Sequence, residues 1–200
     1  ATGRALVVLI GLVLFVGGCA FVYHYTARVQ ERVRVWLDPY KYAHDQGYQS
    51  LQGLYSIAHG AFGGTGLGKG TFTTTGGQQI IPYANTDFIY SALAQELGLV
   101  GVAALVLVYM LVVLRGMRVA LMADDGFSKL LAAGLTFGFA LQTFIIVGGV
   151  LRIIPLTGIT LPFVSYGGSS VVANFILLAG LLLVSHRANS ANRLGMDDGE

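Results

Sequence analysis

The residue best placed for chemistry is an acid at the start of an apolar run. Asp87 lies in the sequence IPYANTDFIY (residues 81–90), where a polar segment gives way to a hydrophobic one. An acid at this position can cap the first turn of a helix, where it interacts favourably with the helix dipole. It can also act as a general base at the boundary between water and membrane. The residues alone leave both interpretations open.

Two polar residues follow Asp87 in the predicted helix. At 100° per residue, Ser91 shares the face of Asp87, whereas Glu96 falls on the opposite face. The two acids therefore do not form a catalytic carboxylate pair. We expect Glu96 to be a structural residue with its own partner, because acids close to membrane spans usually have one.

Positive charge is concentrated in the polar segment that precedes Asp87. Arg28, Arg32 and Arg34 lie just before Trp36. This pattern fits an interfacial helix with a snorkelling basic face and an aromatic anchor. The same arginines could instead form a cationic rim for an anionic lipid headgroup or a pyrophosphate. Both interpretations stay open.

A glycine-rich stretch, residues 60–77, contains eight glycines in 18 residues. Part of it resembles a phosphate-binding P-loop, but Gly70 separates Lys69 from Thr71 and no apolar strand precedes it. We therefore reject a nucleotide site. The stretch is either a flexible turn-rich loop or a place where the backbone approaches a bulky or phosphorylated ligand, with Lys69 as a point charge.

The sequence contains no recognisable metal or serine-nucleophile pattern. Its four histidines and its single cysteine, Cys19, lack metal-ligand spacing. Ser165, Ser169 and Ser170 have no nearby histidine and lie in no Gly-x-Ser-x-Gly motif. We therefore predict no metal ligands and no serine nucleophile.

Composition defines the class of protein that must position these residues. Of the 200 residues, 54% are hydrophobic and 11% are charged, whereas soluble domains carry about 25% charge. This excludes a disordered chain and argues against a soluble enzyme. The net charge of +2, with no basic patch among aromatic residues, argues against a nucleic-acid partner. The remaining class is an all-α integral membrane protein.

Four apolar runs are long enough, or nearly so, to cross a membrane as helices, which takes about 20 residues. They cover residues 5–22, 97–114, 130–151 and 171–185. Residues 153–170 contain Pro155, Pro162 and the Gly167–Gly168 pair, which break helices. We interpret 153–170 as a broken or re-entrant segment that faces a cavity, because irregular backbone at membrane depth needs cover.

The polar segment 24–86 separates the first two spans. The short basic loop 115–129 favours both termini on the cytoplasmic side, which makes 24–86 an extracytoplasmic loop. A structureless loop of this length is usually functional. We expect residues 1–200 to form a single polytopic helix bundle in the membrane.

Six motifs occur in order along the chain. They are RVWLDP (34–39), GYQSL (47–51), GLG (66–68), TDFI (86–89), ELGL (96–99) and PLTGITLPFVSYGGSS (155–170), the last followed by Asn174. This ordered set, over about residues 5–187, resembles the second half of the SEDS family, the RodA, FtsW and SpoVE proteins of shape, elongation, division and sporulation. The resemblance assigns structural roles to Glu96, Pro155, Pro162, Tyr166, Gly167, Gly168, Ser169, Ser170 and Asn174.

The resemblance implies a ten-helix fold of which this chain supplies the last four helices, so we expect a fragment without activity of its own. Members of the family polymerise peptidoglycan strands from lipid II at the outer face of the bacterial cytoplasmic membrane. They work with a class B penicillin-binding protein. The family's essential acid lies in the Thr-Asp-Phe motif, which makes Asp87 the expected general base of an inverting glycosyltransferase.

The negative charge that develops on the leaving pyrophosphate predicts cationic contacts. The candidate substrate-binding residues are Arg32, Arg34, Lys69, Gln49, Ser91 and Arg152, and a divalent cation, Mg²⁺ or Mn²⁺, is a candidate cofactor. Two residues depart from the pattern: Gln95 stands where many members carry an acid, and Arg152 where an apolar residue is common. The run 148–152 leans towards RodA-like members.

Two other functions stay open at this point. One is a flippase for the lipid-linked precursor, which a broken helix around a cavity also suits. The other is a membrane scaffold that recruits partners of cell-wall synthesis. Asp87 distinguishes them in part, because a polymerase needs this acid near the sugar and a scaffold does not.

Overall fold

Four helices of the structure are long and apolar enough to cross a membrane. The computed structural model describes residues 2–70 and 85–197, with the side chains of 5–70, 85–188 and 190. Its helices are α1 (Thr2–Tyr25), α2 (Ala27–Leu37), α3 (Tyr48–Gly60), α4 (Ile89–Met122), α5 (Gly126–Val150) and α6 (Gly168–Asp197). The described residues contain no strand. The stretches of membrane length are Ala5–Tyr25, Ile89–Met122, Gly126–Val150 and Gly168–Ala188. The predicted all-α membrane fold with four spans is confirmed.

The chain divides into two compact units, residues 1–48 and 49–200. In the first unit, the side-chain amide of Gln30 on α2 donates to the carbonyls of Tyr23 (3.0 Å) and His24 (3.1 Å) at the end of α1. The last carbonyls of a helix have no partner within that helix. Gln30 therefore closes the end of α1.

In the second unit, α4, α5 and α6 pack around two groups of buried side chains. One group comprises Tyr90, Ala94, Val102, Tyr109, Phe139, Ile146, Val150 and Leu161. The other contains smaller residues: Ala120, Ala123, Ala132, Leu181 and Val184. Small residues let membrane helices approach closely, and Gly116 of α4 lies directly against Thr136 of α5.

The polar segment 24–86 is not structureless, because it contains α2 and α3. α2 forms where the arginines and Trp36 predict an interfacial helix. α3 has no counterpart among the predicted elements. Residues 71–77 of the glycine-rich stretch and residues 81–84 of the motif around Asp87 lie outside the described residues.

α3 packs against the start of α4 through small residues. Its buried residues are Leu51, Gly53, Ser56 and Gly60, of which the three small ones recur at helical spacing. A Cβ added to Gly53 would lie 2.8 Å from the Phe88 ring, and one added to Gly60 would lie 2.8 Å from the carbonyl carbon of Ala94. The backbone of α3 thus touches α4 at places where a side chain has no room.

α4 is interrupted at Gly98, whose φ of 69° lies in the left-handed region. The carbonyls before this break and the N–H groups after it pair with the loop that follows α3 instead of with each other. The bonds are Thr65 N–H to Gln95 O (2.9 Å), Gly66 N–H to Glu96 O (3.0 Å), Leu99 N–H to Ala61 O (2.9 Å) and Val100 N–H to Phe62 O (3.3 Å). We call this arrangement the Gly98 break.

α5 ends in a left-handed turn at Arg152, whose φ is 59°. The Ile153 N–H bonds to Gly148 O at 2.8 Å and the Arg152 N–H to Gly149 O at 3.2 Å. This is the Schellman pattern, in which glycine is the usual left-handed residue. The chain then runs without helix to α6 over residues 151–167, which we call the connecting segment.

The predicted broken segment, 153–170, and the connecting segment differ at their C-terminal ends. Gly168 begins α6 instead of breaking a helix, so Ser169 and Ser170 lie in the first turn of α6. Glycine is tolerated at the start of a helix, where the backbone is only half helical. The predicted final span, 171–185, is therefore too short at both ends.

Candidate active site

Two acids lie at the starts of helices of membrane length, and they differ in what they do there. Asp125 is the N-cap of α5 and accepts a hydrogen bond from the Ser128 backbone N–H at 2.8 Å, which lowers the pKa of Asp125. Asp87 lies one residue before the N-cap of α4, which is Phe88, and the first turn of α4 contains no acid. The interpretation of Asp87 as the cap or a first-turn acid is therefore wrong. Asp87 is half-exposed and lies two positions before the first residue of α4.

The turn that carries Asp87 is held by the connecting segment. The Tyr166 backbone N–H donates to the carbonyl of Asn85 at 2.9 Å. The Ser165 hydroxyl donates to the carbonyl of Thr86 at 2.7 Å. The two peptide carbonyls immediately before Asp87 are thus bound to residues 79 and 81 positions further along the chain.

The connecting segment is in turn tied to α4 and α5. The Tyr109 hydroxyl of α4 donates to the carbonyl of Pro162 at 2.7 Å, and this bond is buried. The Gln142 side-chain amide of α5 donates to the carbonyl of Thr160 at 2.9 Å. Both carbonyls lie where no helix or sheet supplies a backbone donor, so the polar side chains of the two spans satisfy them.

α6 completes the attachment. The Thr160 hydroxyl donates to the Ser170 hydroxyl oxygen at 2.6 Å, and the Asn174 side-chain amide donates to the carbonyl of Ser170 at 2.8 Å. Phe163, with a φ of 61°, packs its ring edge-on against Phe175, with centroids 5.4 Å apart. Of the motif residues predicted to be structural, Pro162, Tyr166 and Ser170 therefore take part in the bonds that hold the connecting segment, whereas Glu96 lies at the Gly98 break.

Lys69 lies apart from Asp87 in the described contacts. Its side chain is exposed and folds over Gly66, whose carbonyl accepts the Lys69 backbone N–H at 3.1 Å. The loop that carries Lys69 meets α4 at Gly98. At 1.5 Å per residue, roughly 15 Å of helix separates that point from Asp87.

The arginines proposed for the substrate belong to two elements, α2 in the first unit and the end of α5 in the second. Arg32 and Arg34 are exposed on α2 in the first unit, and Arg34 donates to the Gln30 side-chain oxygen at 3.4 Å. Arg152 is half-buried at the end of α5. The role of Lys69 and Arg152 as a pyrophosphate site stays a prediction.

The remaining candidates have less open positions than predicted. Ser91 is fully buried, and its hydroxyl faces Gly53 of α3, so the structure places it in a helix contact. Gln49 is half-buried in the first turn of α3. Glu96 is half-buried, and its backbone carbonyl takes part in the Gly98 break.

The described residues contain no group of three or more His, Cys, Asp or Glu that could hold a metal ion. A divalent cation stays a prediction.

Sequence reasoning missed the residues that fix the site. Ser165 lies in the last motif but is considered individually only as a nucleophile, and neither Tyr109 nor Gln142 is among the candidates from the sequence. A usable signal was present for Tyr109 and Gln142, because a hydrogen-bonding side chain inside an apolar span needs a partner. The sequence offered no signal for the link from Ser165 to Thr86.

The fold and the acid ahead of α4 define a polytopic membrane protein with a candidate site at the start of a span. A family model described as cell cycle protein, covering FtsW, RodA and SpoVE, matches residues 1–190. The chain belongs to the FtsW/RodA/SpoVE family.

Curated relatives agree with this assignment. The chain is 50% identical over 188 residues to the peptidoglycan glycosyltransferase RodA of Mycobacterium tuberculosis, covering 94% of this chain and 39% of that protein. It is 37% identical over 183 residues to the probable peptidoglycan glycosyltransferase FtsW of a Geobacter species, covering 90% of this chain and 48% of that protein.

Two solved structures are also similar. One is described as structural coordination of polymerization and crosslinking by a peptidoglycan synthase complex. It matches with a TM-score of 0.66 and 30% identity, covering 92% of this chain and 49% of that chain. The other is a mutant of the Thermus thermophilus rod shape-determining protein RodA, with a TM-score of 0.51, 34% identity and coverage of 68% and 41%. The chain thus spans between 39% and 49% of the length of these four proteins.

Proposed function

We propose that the protein is a peptidoglycan glycosyltransferase that polymerises glycan strands from lipid II. Support comes from the names of the relatives and from the family match over residues 1–190. We place this multi-pass protein in the bacterial cytoplasmic membrane, with its active site on the extracytoplasmic face. A lipid-tailed sugar presents its reacting bond at such a boundary.

One observation carries the assignment of the base. Asp87 lies ahead of α4 on a turn whose two preceding carbonyls are both hydrogen-bonded to the connecting segment. A general base must be held within hydrogen-bond distance of the proton that it accepts. The positive end of the α4 dipole also stabilises a carboxylate at this place.

The proposed reaction joins two lipid II molecules. Asp87 accepts the proton of the 4-hydroxyl of the acceptor GlcNAc, and that oxygen attacks C1 of the donor MurNAc. The bond from C1 to the pyrophosphate oxygen breaks, and the configuration at C1 inverts. Undecaprenyl pyrophosphate leaves with the bonding electron pair.

The leaving pyrophosphate gains negative charge and needs positive groups near it. We propose Arg32, Arg34, Lys69 and Arg152 for this role, together with Gln49 as a polar contact and a divalent cation carried by the substrate. We further propose a class B penicillin-binding protein as the partner. Support for a partner is that the similar structure of a peptidoglycan synthase complex combines polymerization with crosslinking.

Asp87→Asn tests the proposal in the purified full-length protein with its partner and labelled lipid II. We expect glycan synthesis to fall by about 10³-fold, in the range found for loss of a general base. Asp124→Asn is the matched control, because Asp124 is an exposed acid in the loop between α4 and α5. The glycan synthesis of this variant should equal that of the unaltered protein.

Full polymerase activity of Asp87→Asn would refute the assignment. Absence of product from the unaltered protein under all conditions would instead favour a flippase or a scaffold.

A further inference from the structure

Ser165 uses its hydroxyl in two directions at once. The residue is 3% exposed. Its oxygen accepts the Leu161 backbone N–H at 2.8 Å, and the same hydroxyl contacts the carbonyl of Thr86 at 2.7 Å. An N–H can only donate and a carbonyl can only accept, so the single hydroxyl proton must point to Thr86. The direction of both bonds is therefore determined.

The bond to Thr86 acts directly on the backbone of Asp87. The carbonyl of Thr86 and the nitrogen and Cα of Asp87 belong to one planar peptide unit. A hydrogen bond that holds the oxygen therefore also restrains the plane from which the Asp87 side chain projects. The neighbouring bond from Tyr166 to Asn85 holds the preceding peptide unit.

The other end of this link is fixed to the helix bundle. Pro162 and Thr160 of the same segment are bound by Tyr109 and Gln142. Ser165 therefore links the turn before Asp87 to α4 and α5 through the connecting segment.

We propose that Ser165 is a positioning residue for Asp87, an inference that rests on the proposed function. It acts on the carboxylate through the peptide unit and does not touch the substrate. Misplacing a reacting group by about 1 Å can reduce a rate by about 10²-fold. Loss of the Ser165 hydroxyl should therefore lower kcat and leave the KM for lipid II nearly unchanged.

The test is a series at position 165 in the full-length protein with its partner. Ser165→Ala removes the hydroxyl, and Ser165→Cys keeps a group of similar shape that donates only weakly. We expect kcat to fall in the order Ser, Cys, Ala, by about 10-fold to 100-fold for alanine, at constant KM. Thr160→Val is the matched control, because it removes another hydroxyl bond of the connecting segment that does not reach the turn of Asp87.

The outcomes separate this inference from the proposed function. An active Asp87→Asn would overturn the proposed function and leave nothing for Ser165 to position. If Asp87→Asn is inactive but kcat is the same across the three residues at position 165, the positioning role is wrong. It is also wrong if Thr160→Val lowers kcat as much as Ser165→Ala, or if the loss in the series appears only as a lower melting temperature. If Ser165→Ala fails to fold, the comparison of Ser165→Cys with Thr160→Val decides in the same way.

Discussion

The Gly98 break and the connecting segment both interrupt helical structure in the second unit, yet different kinds of bond stabilise them. At the Gly98 break, four bonds join backbone to backbone, and the Thr65 hydroxyl adds one side-chain bond to the carbonyl of Gln95 at 3.1 Å. In the connecting segment, the side chains of Tyr109, Gln142 and Ser165 supply three of the principal bonds. Both regions satisfy the backbone groups that lost their helical partners, as burial requires.

The difference determines which residue types each region needs. Backbone bonds do not depend on side-chain identity, but they require two chains to approach closely, so the Gly98 break depends on glycine. Side-chain bonds require a hydroxyl or an amide at one position, so the connecting segment depends on polar residues inside apolar spans. The region that holds the turn of Asp87 is the second kind.

The largest effect on stability is expected from Gly98→Ala. Its φ of 69° is unfavourable for alanine, and the added Cβ would lie 2.7 Å from the carbonyl carbon of Phe62. Because the obstacle is backbone, we expect a loss of about 3 kcal/mol or more in detergent-solubilised protein. The measurement is thermal unfolding by circular dichroism. Gly138→Ala, with open space around an added Cβ, is the control. Equal melting temperatures for the two variants would contradict the backbone account.

An intermediate effect is expected from Tyr109→Phe. The change removes the 2.7 Å bond to Pro162 and keeps the ring packing against Phe139. A buried carbonyl that loses its donor costs about 1–2 kcal/mol. Tyr166→Phe is the control. Tyr166 is 78% exposed, so loss of its hydroxyl should not change the melting temperature. If the two variants have the same stability, side-chain bonds do not hold the connecting segment.

The smallest effect, and one of opposite sign, is expected from Ala61→Gly. Ala61 is exposed and has a φ of 45°, while its carbonyl serves the Gly98 break. Relief of the left-handed strain outweighs the greater freedom that glycine has in the unfolded chain, so stability should rise by up to about 1 kcal/mol. A chemical or thermal unfolding curve measures this gain. A loss of stability would mean that the methyl group of Ala61 contributes more to the fold than its left-handed backbone costs.

The membrane spans were predictable because apolar composition and length alone define them. The apolar run alone placed the second span too late, at residue 97, whereas α4 begins at Ile89, close to the helix start that the motif around Asp87 indicates. Gln95 and Glu96 end the hydrophobic pattern without ending the helix. α3 was also missed, because it packs through glycine and serine, which give little hydrophobic signal.

The candidate site was predictable in its acid and not in its geometry. Asp87 was identified from the motif around it, but its place ahead of the N-cap depends on where α4 begins. The Ser165–Thr86 bond spans 79 positions and follows only from the packed fold. The grouping of charged side chains is likewise a property of the tertiary structure.

At the end of α5, a positively charged side chain stands at a residue with an unfavourable backbone conformation. Arg152 takes the left-handed position of the Schellman turn, where any residue with a Cβ loses about 1–2 kcal/mol relative to its preferred conformation. The same position faces the negative end of the α5 dipole, where a cation gains about 0.3–1 kcal/mol. The charge of the Arg152 side chain thus offsets part of the free-energy cost of its left-handed backbone conformation. At this helix terminus an arginine is therefore less costly than an apolar residue in the same conformation, whether or not a phosphate ever reaches it.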